Sequence, residues 1–352
     1  MSQHSTLSLG QRLVRSTGLQ LILVAGSFSL LTYTLGRNSG IQESEVHRTN
    51  LSITEIREQL SGKLRVPMFL NDLNASAIDA QPDLLKNFDA LGRRFWHQLK
   101  AFPVDYINYG APDGSFLGLE RGSDDDVLLY EDSTRLGRGQ LTVFSLSAGG
   151  ERLEPTEIIP GMSATHEEAW YVDTVTAGRS SWSSIYAWED QPDIHSVSYN
   201  TPLFDGDGQL LGVIGVDMVI NQLSTWLHQV WGSRDGLALL VEADGRLIAS
   251  SDPSIPLTTT GENNERSSLG ELKHPLAEML HRIQQAPGGA AQPQLFRHEN
   301  GTFLLQSTPW GSDLGLDWVL LTASSANAAV SYTHLRAHET SLHLVCRLLL
   351  EK

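Results

Sequence analysis

The run from Thr17 to Gly36 constrains this chain most. Leu19, Leu21, Ile22, Leu23, Val24, Ala25, Phe28, Leu30, Leu31 and Leu35 dominate it, and it carries no charge. One bilayer crossing by a helix needs about 20 such residues. Arg12 and Arg15 stand just before the run, and basic flanks favour the cytoplasmic side. A cleaved signal peptide is the competing reading, but no clear small-x-small cleavage site follows the apolar stretch. The expectation is a cytoplasmic N-terminus over 1–16, a transmembrane helix over 17–36, and a chain that crosses the plasma membrane once with its bulk outside.

Of the 352 residues, 40% are apolar, enough to bury a core in each of two modest domains. The formal net charge of −16 argues against nucleic acid as a partner, because sequence-independent affinity comes from Lys and Arg neutralising phosphates. The last stretch, VSYTHLRAHETSLHLVCRLLLEK over 330–352, resembles a translated sequencing-library adapter and is set aside as an artefact. Cys346, the only cysteine, falls in it, so no disulfide framework is expected. His334, His338 and His343 leave the inventory of metal ligands with it.

Between these ends the periodicity changes once. Val46, Ile53, Ile56, Leu60 and Leu64 recur at helical spacing, as do Leu84, Phe88, Leu91, Phe95 and Leu99 after Pro82. The simplest reading of 37–103 is a long helical stalk broken by a loop near 71–81, its stripe packing within the protomer or against a dimer partner. After Pro103 the pattern is that of strands. Turn signals at Asp113-Gly114, Asp205 to Gly208, Asp244-Gly245 and Asn300-Gly301 separate apolar runs. A short helix is expected around Trp170, a second over 221–230 and a third over 269–285. Strands with a few crossing helices occur twice, which reads as two α+β sheet units in series, 104–231 and 232–329.

The central segment resembles the double Cache family of extracytoplasmic sensor domains. The resemblance is carried by AWYVDTVTAG, WSSIYAWED and above all TPLFDGDGQLLGVIGVDMVINQLSTWL, with YGAPDGSFLGLERG and LDWVLLTAS in support. It spans about Arg37 to Ser325. It implies a long N-terminal helix, a membrane-distal PAS-like lobe that binds a small molecule, a membrane-proximal PAS-like lobe, and a second membrane helix. The output domain of such a receptor, a histidine kinase, chemoreceptor or nucleotide cyclase, lies beyond the sequence in hand.

The residues themselves point to a binding site. Trp170, Tyr171, Trp182, Tyr186 and Trp188 crowd into one short segment, and Asp217 ends the apolar run LLGVIGVD. Aromatic walls with a few polar groups suit a small ligand; a carboxylate suits an ammonium group, and ring faces add cation–π attraction. The competing reading makes the aromatics core residues and Asp217 a cap for the helix that follows. Asp173 and Asp190 are expected to be solvated. The site set is therefore Trp170, Tyr171, Trp182, Tyr186 and Asp217. Amino-acid-binding members of the resembling family carry an Arg-x-Trp-Tyr motif, onto which Trp170 and Tyr171 map, with Tyr186 and Asp217 after it. Glu168 stands where the arginine would be, so an amine or neutral ligand is favoured over an amino acid.

No cofactor and no metal are expected. Asp124 to Asp126 and Asp205 to Gly208 lack the loop spacing of an EF-hand, and no zinc H-E-x-x-H motif, G-x-S-x-G elbow, P-loop or dinucleotide fingerprint occurs. Two classes remain: a ligand-binding sensor of a two-pass receptor, expected as a homodimer, and a membrane-anchored enzyme or binding protein using the aromatic cleft. The first is favoured and is not itself an enzyme.

Overall fold

The structure is a computed structural model that describes residues 9–122, 126–161, 165–232, 235–258, 265–286, 293–298 and 301–326; within 9–45 only Ser27 has its side chain described. Residues 330–352 lie outside the described residues. So do the side chains of 17–36 apart from Ser27, where a membrane crossing is expected. Among the described residues no helix is long and apolar enough to cross a membrane.

Helix α1 runs over Leu9–Ala80, which corrects the loop expected near 71–81. Asn71 and Asn74 look like breakers in sequence, because their side chains compete for local backbone bonds. Both are instead fully buried and bonded to distant partners. The Asn71 amide donates to the carbonyl of Ile214 at 3.3 Å and to that of Tyr199. Asn74 and Gln98 exchange amide bonds of 3.0 and 2.7 Å, and Arg94 Nε donates to Asn74 Oδ1 at 2.8 Å. The helix stops at Gln81, whose backbone leaves the helical region ahead of Pro82. A 3-10 turn, Pro82–Lys86, follows, then α2, Phe88–Ala101, capped by the Asn87 side chain on the Ala90 amide.

Two antiparallel sheets come next. The first contains β1 (Tyr106–Gly110), β2 (Phe116–Arg121), β3 (Val127–Asp132), β4 (Gln140–Leu146), β5 (Arg152–Pro160), β6 (Ser181–Trp182), β7 (Tyr186–Ala187), β8 (His195–Phe204) and β9 (Leu210–Val219). Its order is β5-β4-β3-β2-β1-β9-β8-β6, with β7 also on β8. Helix α3, Ala169–Ala177, precedes β6 and ends on Gly178 in the left-handed conformation. Helix α4, Ile220–Trp231, leads from β9 to β10 (Gly236–Glu242) and β11 (Leu247–Ser250). After α5 (Pro275–Gln284) come β12 (Gln294–His298), β13 (Gly301–Trp310) and β14 (Trp318–Ser325), with the order β11-β10-β14-β13 continued by β12. The helix expected over 269–285 is in fact a 3-10 turn, Leu269–Glu271, followed by α5 from Pro275, since proline suits a first turn.

The chain divides into two compact units. One holds Ser52–Gln294 and Leu305–Ser324; the other holds the chain to Leu51, Leu295–Leu304 and the chain from Ser325. Among its described residues, the first contains buried clusters on both faces of the first sheet and against the second sheet. Ile53, Ile56, Leu60 and Leu64 of α1 pack with Leu223, Leu227 and Trp231 of α4 and with Leu240, Ile248 and Leu320 of the second sheet, so the stripe finds its partner within the protomer. Leu70, Leu91, Phe95 and Leu99 cover one face of the first sheet through Ile107, Leu117, Ile214 and Val216. On the opposite face Trp170, Tyr171 and Trp188 pack over Tyr106, Phe116, Tyr130 and Val213. That aromatic face is where the polar residues gather.

Candidate ligand-binding cleft

Strand alternation decides which side chains share a face. On β1, Ile107 and Tyr109 join the helix-covered core, which leaves Tyr106, Asn108 and Gly110 on the other face. Register sets Tyr106 opposite Asp217 and Asn108 opposite Gly215 of β9, and β8 sets Ser198 opposite Asp217 and Asn200 opposite Gly215. Helix α3 closes over this face because Gly110 has no side chain: a Cβ there would lie 2.7 Å from Thr165 and 2.9 Å from the Trp170 ring.

The result is a partly open cleft with a cavity of about 60 Å³. Its aromatic walls are Tyr106, Phe116, Trp170, Tyr186 and Trp188. Tyr106 stacks at a tilt on Trp188, with centroids 5.1 Å apart, and Phe116 meets Trp170 at 6.4 Å. Asn108, Asp132, Thr165, Glu168, Glu189 and Asp190 provide the polar lining, and among the described residues no Lys, Arg or His lines it. Directly behind Tyr186 sits Asp217, only 2% exposed. Tyr186 OH donates to Asp217 Oδ2 at 2.6 Å, and Asn108 Nδ2 reaches Asp217 Oδ1 at 3.5 Å.

Burial dominates the electrostatics. Loss of water pushes Asp217 up to about 7, with the Glu168 charge adding to the rise and the Tyr186 hydroxyl opposing it. Burial likewise pushes the half-buried Glu168 up to about 7, against its bond from Trp170 Nε1 at 3.0 Å; Glu189 and Asp190 push the same way. Asp190 and Glu120 are raised for the same reason, loss of water. Such a cluster of raised carboxyl groups is short of positive charge. Among the described residues no three His, Cys, Asp or Glu side chains are grouped to hold a metal.

The residues expected from sequence separate here. Trp170 and Tyr186 line the cleft, and Asp217 stands behind them; it does not cap α4, whose first residue follows Val219 with no side-chain cap. Tyr171 is buried edge-on to Trp170, centroids 5.7 Å apart, outside the lining. Trp182 points elsewhere: its Nε1 donates to the Leu314 carbonyl at 3.0 Å and its ring meets Tyr199 edge-on, centroids 5.2 Å apart. Asp190, expected to be solvated, is half-buried in the cleft wall, and Asp173 accepts bonds from Ser184 N at 2.9 Å and Oγ at 2.7 Å. Sequence reasoning passed over Tyr106, Asn108, Phe116, Asp132 and Glu189. The one available signal was Asn108, a lone amide in the otherwise apolar strand YINYG.

Residues 130–225 match the family model described as methyl-accepting chemotaxis protein-like, first PDC sensor domain. A comparison with curated protein sequences finds no match. Among solved structures, the chain is similar to the sensory domain of the Campylobacter jejuni chemoreceptor Tlp3 (CcmL), with 12% identity, a TM-score of 0.51, and coverage of 83% of this chain and 98% of that one. The ligand-binding domain of the same chemoreceptor in complex with L-valine gives a TM-score of 0.51 at 12% identity, covering 83% and 97%. The ligand-binding domain of the Pseudomonas aeruginosa amino acid chemoreceptor PctB with L-Arg is 17% identical at a TM-score of 0.47, covering 82% and 97%. The fold is that of the Tlp3 sensory domain, a long N-terminal helix followed by antiparallel sheets, and residues 130–225 match the model of a PDC sensor domain.

Proposed function

We propose that this chain is the extracytoplasmic sensing module of a membrane receptor, anchored through 17–36 and working as a homodimer, and that its ligand is a small organic cation. The observation that carries the ligand class is the lining: Asp132, Glu168, Glu189 and Asp190 with Asp217 behind them, and no basic side chain among them. A carboxylate ligand would meet mostly carboxyl groups there, and an amino acid would find no guanidinium among the described lining residues for its carboxylate. An ammonium group gains charge-assisted bonds from Asp217 and Glu168 and the faces of Trp170, Trp188 and Tyr106.

Signalling in this reading is a population shift: the ligand favours whichever arrangement of the cleft binds it better, and only that difference can move α1. The test is a thermal-shift screen of the purified chain against primary amines, amino acids, simple carboxylates and nucleobases. Amines are expected to raise Tm by mass action. A selective rise with a simple carboxylate, and none with any amine, overturns the reading.

A further inference from the structure

Beneath the cleft two amide oxygens are turned on each other. Asn108 of β1 and Asn200 of β8 flank Gly215 of β9 in one row across three strands. Both side chains are buried. A Cβ on Gly215 would lie within 2.5 Å of Asn108 Oδ1 and of Asn200 Oδ1, so the two oxygens crowd one point. Among the described residues neither accepts a hydrogen bond. Buried acceptors left without a donor cost free energy. Asn200 cannot relieve this by turning over. Its Nδ2 donates to the Ser198 carbonyl at 3.1 Å and to Ser198 Oγ at 2.8 Å, and a carbonyl only accepts. Asn108 is held more weakly, by a long bond of 3.5 Å from its Nδ2 to Asp217 Oδ1. That bond needs Asp217 as an acceptor, which an ionised carboxylate is, whereas a protonated one also donates. Tyr186 OH occupies Oδ2, so Oδ1 is the atom left to carry a proton. Burial favours the protonated form; so do the charges of Glu168 and Asp105, and Tyr106 and Tyr186 face Asp217 from β1 and β7.

We propose that the Asn108 carboxamide turns over with the charge on Asp217 and so makes or breaks a tie between β1 and β8. With Asp217 ionised, Asn108 Nδ2 donates to the carboxylate, and the two amide oxygens face each other. With Asp217 protonated, its O–H donates to Asn108 Oδ1, and Asn108 Nδ2 donates to Asn200 Oδ1, which satisfies both oxygens. The tie extends beyond the row, because Ser198 Oγ donates to Ser183 Oγ at 3.1 Å, next to Trp182. The device does not depend on the class of ligand. Under the organic-cation reading above, a ligand that ionises Asp217 breaks the tie.

The experiment is an infrared difference titration of the full, ligand-free chain from pH 5 to pH 9. It follows the carbonyl band of protonated Asp217, identified by its loss in Asp217→Asn. Asn200→Ala removes the bond that the protonated form gains, and the titration midpoint is expected to fall by about one pH unit, the worth of one hydrogen bond. In an Asn108→Ala background the same substitution is expected to leave the midpoint in place. A midpoint that Asn200→Ala leaves unchanged or raises overturns the proposal. A fall of equal size in the Asn108→Ala background does so too, since the effect then bypasses Asn108. Should these variants fail to fold, the unaltered chain decides, isotope-labelled at the asparagine side-chain carbonyl. A carboxamide band is expected to shift together with the Asp217 band; the absence of such a shift, or of any Asp217 band at pH 5, overturns the proposal. The organic-cation reading stands or falls separately, on the thermal-shift screen.

Discussion

At the scale of single residues, the chain keeps a carboxyl group where water cannot reach it. Asp217 is held at about 7 by burial, well above the range of an exposed aspartate. Between about pH 4 and pH 7 the folded chain therefore keeps a proton that the unfolded chain has released. The stability associated with that proton is present below the unfolded pKa and is lost as pH rises through the folded one. Asp217→Asn removes the ionisable group at nearly constant shape. Denaturant melts of the ligand-free chain are expected to show the variant roughly 2–4 kcal/mol more stable than the parent at pH 8, and close to it at pH 4. A variant less stable at pH 8 contradicts the placement of Asp217. Part of this was legible in the sequence. An acid ending an apolar run and a cluster of aromatics point to Asp217, Tyr186 and Trp170, which the fold brings together at one place. Trp182 and Tyr171 lie in the same aromatic stretch of sequence but outside the cleft lining, because the register of β6 on β8 and the packing of α3 over Gly110 decide which ring faces the cleft. Asp190 was invisible because its burial comes from neighbours distant in sequence, Tyr106 and Glu120 among those it acts on.

At the scale of elements, α1 is fastened to the back of the sheet that carries the cleft. Asn71 donates to carbonyls of β8 and β9, Tyr199 and Ile214. On β9, Gly215 and Asp217 belong to the opposite side, beneath the aromatic cleft. The sheet is thus the shared wall between helix and cleft. Asn71→Ala leaves these contacts unmade in a fully buried place, and the expected loss is roughly 1–3 kcal/mol in a denaturant melt. An unchanged midpoint says that the helix is not fastened there. The same residue explains why a break in the stalk is expected from sequence. Asparagine has weak helix propensity, and only its tertiary bonds reveal why the helix pays that cost. Helices with strong apolar stripes, α2 and α4, and hairpins with Asp-Gly turns were legible from periodicity because their signals are local.

At the scale of the molecule, one compact unit contains both the cleft and most of the second sheet. Trp182 links them: it lies on β6, between α3 and β7, and donates to the carbonyl of Leu314 just before β14. Its ring also packs against the cluster shared by α1, α4 and the second sheet. A rearrangement of α3 and β7 around a ligand therefore has a bonded route toward the second sheet and α1. The order of two sheets was legible from the recurrence of strand, turn and helix. Their sharing of one buried cluster through the α1 stripe was not, because a stripe in sequence does not say what it packs against.

The central claim is that the cleft holds a cation on carboxyl groups that are partly protonated while it is empty. Asp217 and Glu168, both near 7, must then give up protons as the cation arrives. The direct test is isothermal titration of the chain with an amine that binds, at pH 6 and pH 8, in buffers of different ionisation enthalpy. The account predicts tighter binding at pH 8 and net proton release at pH 6. Affinity that is the same at both values, or greater at pH 6, with no proton released, contradicts it.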